Sequence, residues 1–123
     1  MIFSFYKRIA DRVANRFSSN QRYWHATSKE RAIQILRTNT LKKPDKKGRG
    51  IWATFANRIS RFELMENVAV WFIARGYYPE TIVLIEFSTD TPPDSKVGIS
   101  GRWVETFKIK DAKIIEERAF SEY

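Results

Sequence analysis

The pattern of apolar and polar positions predicts a helix, a strand, a helix, a loop, a strand, a third helix and then three strands. Apolar residues recur at helical spacing over residues 1–17, 28–38 and about 60–75. Short apolar or alternating runs predict strands before residue 28 and at 51–55, 81–87, 102–107 and 113–118. The core stripe of the third helix is predicted to comprise Ile59, Phe62, Met65, Ala69, Phe72 and Ile73. Asn57 or Ser60 is predicted to begin this helix, and Ser60 with Glu63 forms a capping box. This order lacks the β-α-β alternation of a parallel sheet, so it predicts an α+β fold.

The chain length of 123 residues predicts one small domain spanning residues 1–123. Within it, residues 1–20 are expected to form an amphipathic, basic N-terminal helix, and residues 22–118 the core. No apolar run is long enough to span a membrane, and the first residues lack the order of a secretory signal. The absence of cysteine excludes disulfides. These features favour a cytoplasmic protein, with delivery into another cell left open. A single histidine also argues against a metal site.

The net charge of +8 is concentrated in the first half of the chain. Residues 1–50 hold 13 Lys and Arg against 3 Asp and Glu, whereas residues 51–123 hold 9 against 11. This asymmetry favours an anionic partner for residues 1–50, either a nucleic acid, a nucleotide or an acidic protein face, with simple solubility as the alternative. The loop after the second helix is the best candidate for phosphate or nucleic-acid contact, through Lys42, Lys43, Lys46, Lys47 and Arg49.

The only histidine, His25, lies where the first strand is expected to give way to a helix. Thr27 is the predicted N-cap, and Glu30 completes a capping box three residues later. A strand-to-helix junction exposes side chains to a ligand, and a helix N-terminus favours anions. A structural histidine bonded to a nearby carbonyl is the alternative interpretation.

Three short motifs resemble the ADP-ribosyltransferase superfamily, which includes small toxin-like bacterial or phage members and the tRNA 2′-phosphotransferases. They are YWHATS at residues 23–28, GIWAT at 50–54 and ETFKIKDAKI at 105–114. Ala26 stands where the family usually has glycine, and Trp52 near a position where many members have tyrosine. The resemblance implies a mostly antiparallel split sheet with two or three helices.

The same resemblance implies that NAD is the substrate and that ADP-ribose passes to a protein or nucleic-acid acceptor. Glu105, on a late strand, and His25 are the implied catalytic residues. His25, Thr27, Trp52 and Thr54 are the implied NAD-binding residues. The chemistry is coherent, because cleavage of the nicotinamide–ribose bond builds positive charge that a carboxylate can stabilise.

Two other functions remain open from the sequence. One is a small basic domain that binds nucleic acid or cleaves RNA; in the RNA-cleaving case, His25 takes a proton from a 2′-hydroxyl. The other is a catalytically inactive binding module of the same fold. NAD binding distinguishes the transferase from the RNA-cleaving domain, and turnover distinguishes it from the inactive module.

Overall fold

The computed structural model of the protein describes residues 21–43 and 50–123. The helix predicted over residues 1–20 lies outside the described residues. In chain order the elements are β1 (Tyr23–Ser28), α1 (Lys29–Thr38), β2 (Thr40–Leu41), β3 (Ile51–Phe55), α2 (Arg61–Ala74), β4 (Thr81–Ser88), β5 (Ser95–Val97), β6 (Ser100–Trp103), β7 (Phe107–Lys108), β8 (Lys110–Ala119) and a 3-10 turn at Phe120–Glu122. Neither described helix is long and apolar enough to cross a membrane.

Six of the strands form one sheet in the order β5-β6-β3-β1-β4-β8, and β2 pairs separately with β7. Every strand pair in the described chain is antiparallel. The interior position of β4 follows from its sequence, TIVLIEFS, because β-branched and apolar residues suit a strand buried on both faces. The α+β prediction for a small single domain is therefore confirmed.

The two helices cover opposite faces of this sheet. Alternate residues of each strand point to opposite faces, and the buried side chains form two separate clusters. The α1 cluster contains Ala32 and Ile35 with Tyr23, Val83, Ile85, Phe87 and Trp103, and the α2 cluster contains Met65 and Ala69 with Trp24, Ala26, Ile82 and Leu84. The sheet is thus a middle layer, and β1 contributes core side chains to both faces.

Near the centre of the sheet, β1 and β3 are paired over only part of their length. All six residues of β1 pair with β4, but only Tyr23 and Trp24 pair with β3, opposite Phe55 and Thr54. From His25 onward β1 and β3 no longer share a ladder. This separation creates a gap in the sheet at the end of β1, directly before α1 begins.

The helix starts agree with the sequence in one case and differ in the other. Ser60 caps α2, and its Oγ accepts a hydrogen bond from the backbone N–H of Glu63. This agrees with the helix start predicted at Ser60. The prediction that Thr27 caps α1 is wrong, because Ser28 is the N-cap and accepts from the Arg31 N–H. Thr27 instead lies within β1, opposite Val83 and one residue before the end of the strand.

The strand predicted over residues 102–107 is also wrong in its extent. β6 ends at Trp103, where the Val104 N–H donates to the Asp94 carboxylate, and β7 begins only at Phe107. Glu105 therefore lies in the connection between two strands rather than on a strand. In α2, Phe62 and Ile73 were expected in the core stripe but are exposed.

Candidate functional site

A cleft of about 820 Å³ lies at the gap between β1 and β3. That volume is typical of small-molecule binding sites. α1, α2 and β6 complete its walls. The polar residues around it are His25, Thr27, Ser28, Arg31, Thr54, Asn67, Arg75 and Arg102, and the aromatic residues are Trp24, Trp52, Trp71, Phe72 and Tyr77.

His25 is half-buried and bridges the gap between the two strands. Its Nδ1 lies 2.8 Å from the backbone carbonyl oxygen of Trp52. Because a carbonyl oxygen can only accept, Nδ1 carries the proton and Nε2 is left as an acceptor. This is the bond expected of a structural histidine, yet the same ring also lines the cleft.

The environment of His25 favours the neutral ring. Burial lowers the pKa of His25 from its ordinary value of 6.5, and the positive charge of Arg31 lowers it further, against the hydrogen bond to Trp52, which raises it. A neutral imidazole with a free Nε2 lone pair accepts a hydrogen bond from a hydroxyl group at neutral pH. It does not supply positive charge to an anion.

Trp52 and Arg102 lie side by side on β3 and β6. They are direct cross-strand partners, so their side chains leave the sheet on the same face. Trp52 is 45% exposed. Gly50 permits this arrangement, because a Cβ at that position would lie 2.5 Å from the Nε of Arg102. The lack of a side chain at Gly50 therefore leaves room for the guanidinium group at the cleft.

One face of α2 supplies the opposite wall of the cleft. Trp71 and Arg75 are one helical turn apart, and the guanidinium carbon of Arg75 lies 3.6 Å from the Trp71 ring centroid. The Arg75 guanidinium also donates to the Trp71 carbonyl. This contact places a cation against a half-exposed indole, and Tyr77 adds a second exposed ring just after the helix.

The structure brings together the four residues that the resemblance assigns to NAD. His25 and Thr27 come from β1, Trp52 and Thr54 come from β3, and all four line the cleft. Thr27 and Thr54 are buried polar residues. His25 and Thr27 lie opposite residues of the α1 cluster, whereas Thr54 lies opposite Trp24 of the α2 cluster, so the two pairs belong to opposite faces of the sheet. They line one cleft because β1 and β3 stop pairing after Trp24.

Glu105 lies apart from these residues. It is not among the residues that line the cleft, and its side chain is 73% exposed. Its carboxylate forms an ion pair with Lys43, with 3.2 Å between Nζ and Oε1. No Asp or Glu lines the cleft within residues 21–43 and 50–123.

The residues assigned to phosphate contact are only partly described. Lys42 and Lys43 line a second cavity of about 430 Å³, which adjoins the cleft because Arg31 lines both. Lys46, Lys47 and Arg49 lie outside the described residues.

The residues of the cleft that sequence reasoning missed include Arg31, Trp71, Arg75, Tyr77 and Arg102. The available signal was the position of Arg31 within the first turn after His25, since residues there lie beside the end of the preceding strand. The other four come from α2, the turn after it and β6. No local pattern marks them as facing β1.

Taken together, the cleft combines three arginines, three exposed or half-exposed aromatic rings and a neutral histidine. Such a lining suits a ligand with both anionic groups and flat rings. No cluster of three or more metal-ligating side chains occurs in the part of the chain that the structure describes. Comparison with protein-family models, curated proteins and solved structures found no match to this chain.

Proposed function

We propose that this chain is an NAD-dependent ADP-ribosyltransferase that modifies a macromolecular acceptor. The observation that carries the proposal is the convergence of His25, Thr27, Trp52 and Thr54 on one cleft. These residues were selected from two separate motifs, and the cleft has a volume suited to a ligand of this class. The resemblance of the motifs and the shape of the cleft therefore support the same ligand.

The polar half of the cleft matches the sugar and phosphate groups of NAD. The Nε2 of His25 can accept a hydrogen bond from a ribose hydroxyl, because its Nδ1 proton is held by Trp52. Arg31 lies within the first turn of α1, where the helix dipole also favours negative charge. Arg31 and Arg102 are thus the side chains best suited to the pyrophosphate.

The aromatic half of the cleft matches the two rings of the dinucleotide. Trp52 and Trp71 each have 45% of their surface exposed, which is unusual for tryptophan in a small domain. An exposed indole at a cleft offers a flat apolar surface on which nicotinamide or adenine can stack. Removal of either ring should therefore weaken binding.

Transfer requires the bond between C1′ of the ribose and the nicotinamide nitrogen to break, with the electron pair leaving on nicotinamide. An acceptor oxygen or nitrogen then bonds to C1′ and loses its proton. A carboxylate held near the ribose stabilises the positive charge that develops between these events. Glu105 is the residue proposed for this role, and it would have to exchange its contact with Lys43 for one with the ligand.

The position of Glu105 favours a second candidate function, which is NAD binding without turnover. The cleft has arginines but no carboxylate among its described lining residues. Such a lining binds an anionic nucleotide, yet it does not offset positive charge on a ribose. A catalytically inactive binding module of the same fold would have this composition.

The decisive experiment measures NAD binding by calorimetry and nicotinamide release in the presence of cell extract. The variants Arg31→Ala and Arg37→Ala form a matched pair, because both arginines are exposed on α1 but only Arg31 lines the cleft. Arg31→Ala should weaken NAD binding about tenfold or more, since a charge-assisted hydrogen bond contributes about 1.5–3 kcal/mol. Arg37→Ala should bind as wild type does.

Binding with release supports the transferase, and binding without release from any extract supports the inactive module. If wild-type protein does not bind NAD, both proposals are wrong. Trp52→Ala provides a second check, because loss of the stacking surface should weaken binding without removing a charge.

A further inference from the structure

The second cavity, of about 430 Å³, is cationic, and none of the described residues that line it is acidic. It lies between α1 and the chain that leaves β2. Four of its eight lining residues are positively charged, and the others are Gln34, Ile35, Thr38 and Thr40. The cations are Arg31, Arg37, Lys42 and Lys43.

This cavity has a defined scaffold. Arg31, Gln34 and Thr38 recur three and four residues apart, so they form one stripe along α1. The other wall is fixed by β2, which pairs with β7, and by the Lys43 N–H, which donates to the Thr106 hydroxyl at 2.8 Å. The Arg31 guanidinium reaches across to the Lys42 carbonyl.

Three of the four cations lack an acidic partner. Lys43 is paired with Glu105, but Arg31, Arg37 and Lys42 form no ion pair within the described residues. Like charges around one concave surface repel each other, and an anion placed between them relieves that repulsion. The cavity therefore has the charge of a phosphate-binding surface.

The length of the cavity and the aromatic cleft beside it indicate which kind of phosphate compound the cavity binds. Arg31 and Thr38 are seven residues apart, which is about 10 Å along a helix and long enough for the cations to contact more than one phosphate of a strand. Arg31 also lines the cleft with its exposed aromatic rings, so the two surfaces share this side chain. Phosphate contacts beside stacking surfaces are the combination that binds unpaired nucleotides.

We propose that this cavity binds the backbone of a single-stranded nucleic acid and directs one of its nucleotides toward the cleft. The strand would be the macromolecular acceptor of the reaction proposed above, and that role rests on the proposed function. Binding of the strand does not rest on it, because the cavity and the cleft are lined by different residues except for Arg31.

The test measures fluorescence anisotropy of a labelled single-stranded RNA of about 12 nucleotides, without NAD, at several salt concentrations. Three uncompensated cations predict that log K falls with log salt with a slope of about −2 or steeper. The variant R37Q/K42Q should flatten this slope by about 1.4, because each phosphate that is no longer neutralised reduces the slope by about 0.7.

The matched control is K96Q/K113Q, which removes the same charge from two exposed lysines on β5 and β8 that line neither cavity. It should keep the wild-type slope. An equal effect of the two double variants, or none from R37Q/K42Q, overturns the proposal. Thermal melts of both variants verify that they fold.

Two further probes exclude other partners. Duplex RNA of the same sequence should bind more weakly, because its bases cannot stack on the cleft rings; equal binding overturns the single-strand assignment. A polyglutamate peptide that binds as tightly as the RNA also overturns the assignment, because the cavity would then be a site for acidic proteins.

The acceptor role is tested by following the label from NAD into the RNA. RNA binding without NAD binding retains the strand site and rejects the transferase, whereas transfer to protein alone rejects the acceptor role.

Discussion

Substitution of Glu105 by glutamine is expected to lower nicotinamide release about a hundredfold or more. Glutamine keeps the shape and much of the hydrogen bonding of the side chain but removes the charge that would stabilise a ribosyl cation. A hundredfold loss corresponds to about 2.7 kcal/mol of transition-state stabilisation, which is within the range of a single electrostatic contact in an enclosed site. The expectation follows from the transferase proposal.

The same substitution should change the free energy of unfolding by less than about 1 kcal/mol. The Glu105 side chain is 73% exposed, and its partner Lys43 is 45% exposed. An ion pair between solvated groups at the surface contributes about 0.2–1 kcal/mol or nothing measurable. The melting temperature should therefore fall by no more than a few degrees, so a loss of activity would not reflect unfolding.

Glu117→Gln is the matched control, because Glu117 forms a comparable exposed ion pair with Lys29 and does not line the cleft. Nicotinamide is quantified by chromatography after incubation of each variant with NAD and extract, and thermal melts are recorded in parallel. Both variants should lose similar, small amounts of stability, but only Glu105→Gln should lose turnover. Equal turnover in wild type and Glu105→Gln would refute the assignment of Glu105.

Three other predictions concern pH, the cleft and the core. Because the folded-state pKa of His25 lies below 6.5, the unfolded chain binds the proton more readily than the folded chain does. The free energy of unfolding should therefore fall as the pH drops below 6.5. NMR titration of this one histidine, and urea melts of wild type and His25→Asn at pH 7.5 and 5, test this prediction. Gly50→Ala should displace the Arg102 side chain and weaken NAD binding as much as Arg102→Ala does, with calorimetry as the measurement. Trp103→Phe should cost about 2–3 kcal/mol in urea unfolding, because the buried indole packs on its neighbours and donates to the Thr91 carbonyl, whereas Trp52→Phe should cost less than about 0.5 kcal/mol.

Much of the fold could be predicted from the sequence, because its signals are local. The helical periodicity located both described helices, and the Ser60–Glu63 pair marked the start of α2 within a residue. The run at 81–87 identified a strand that proved to be interior in the sheet. The local signal was ambiguous at Thr27 and Ser28, because either hydroxyl could cap the helix. In the structure β1 continues through Thr27 to Ser28, and α1 begins directly after Ser28, which is the N-cap.

Only the part of the candidate site that lies on the adjacent strands β1 and β3 could be predicted from the sequence. His25 and Trp52 belong to adjacent strands, so the two motifs that contain them converge on the cleft. Glu105 depends on where β6 ends, and the sequence extended that strand too far. Phe62 and Ile73 fit a helical core stripe, yet the sheet contacts a narrower face of α2 than the stripe covers.

The sequence by itself determined the elements, the α+β class, the excess of positive charge in the first half and the place of His25 at the end of a strand. Only the tertiary structure decided that β1 and β3 stop pairing after Trp24, that Arg102 lies beside Trp52, and that Arg31 lines both cavities. Periodicity and capping depend on residues a few positions apart, so the chain encodes them locally. The strand register, the separation of β1 from β3 and the direction of the Arg102 side chain depend on pairing between segments distant in the sequence, such as Trp52 with Arg102 or Tyr23 with Phe87. No local pattern specifies that pairing.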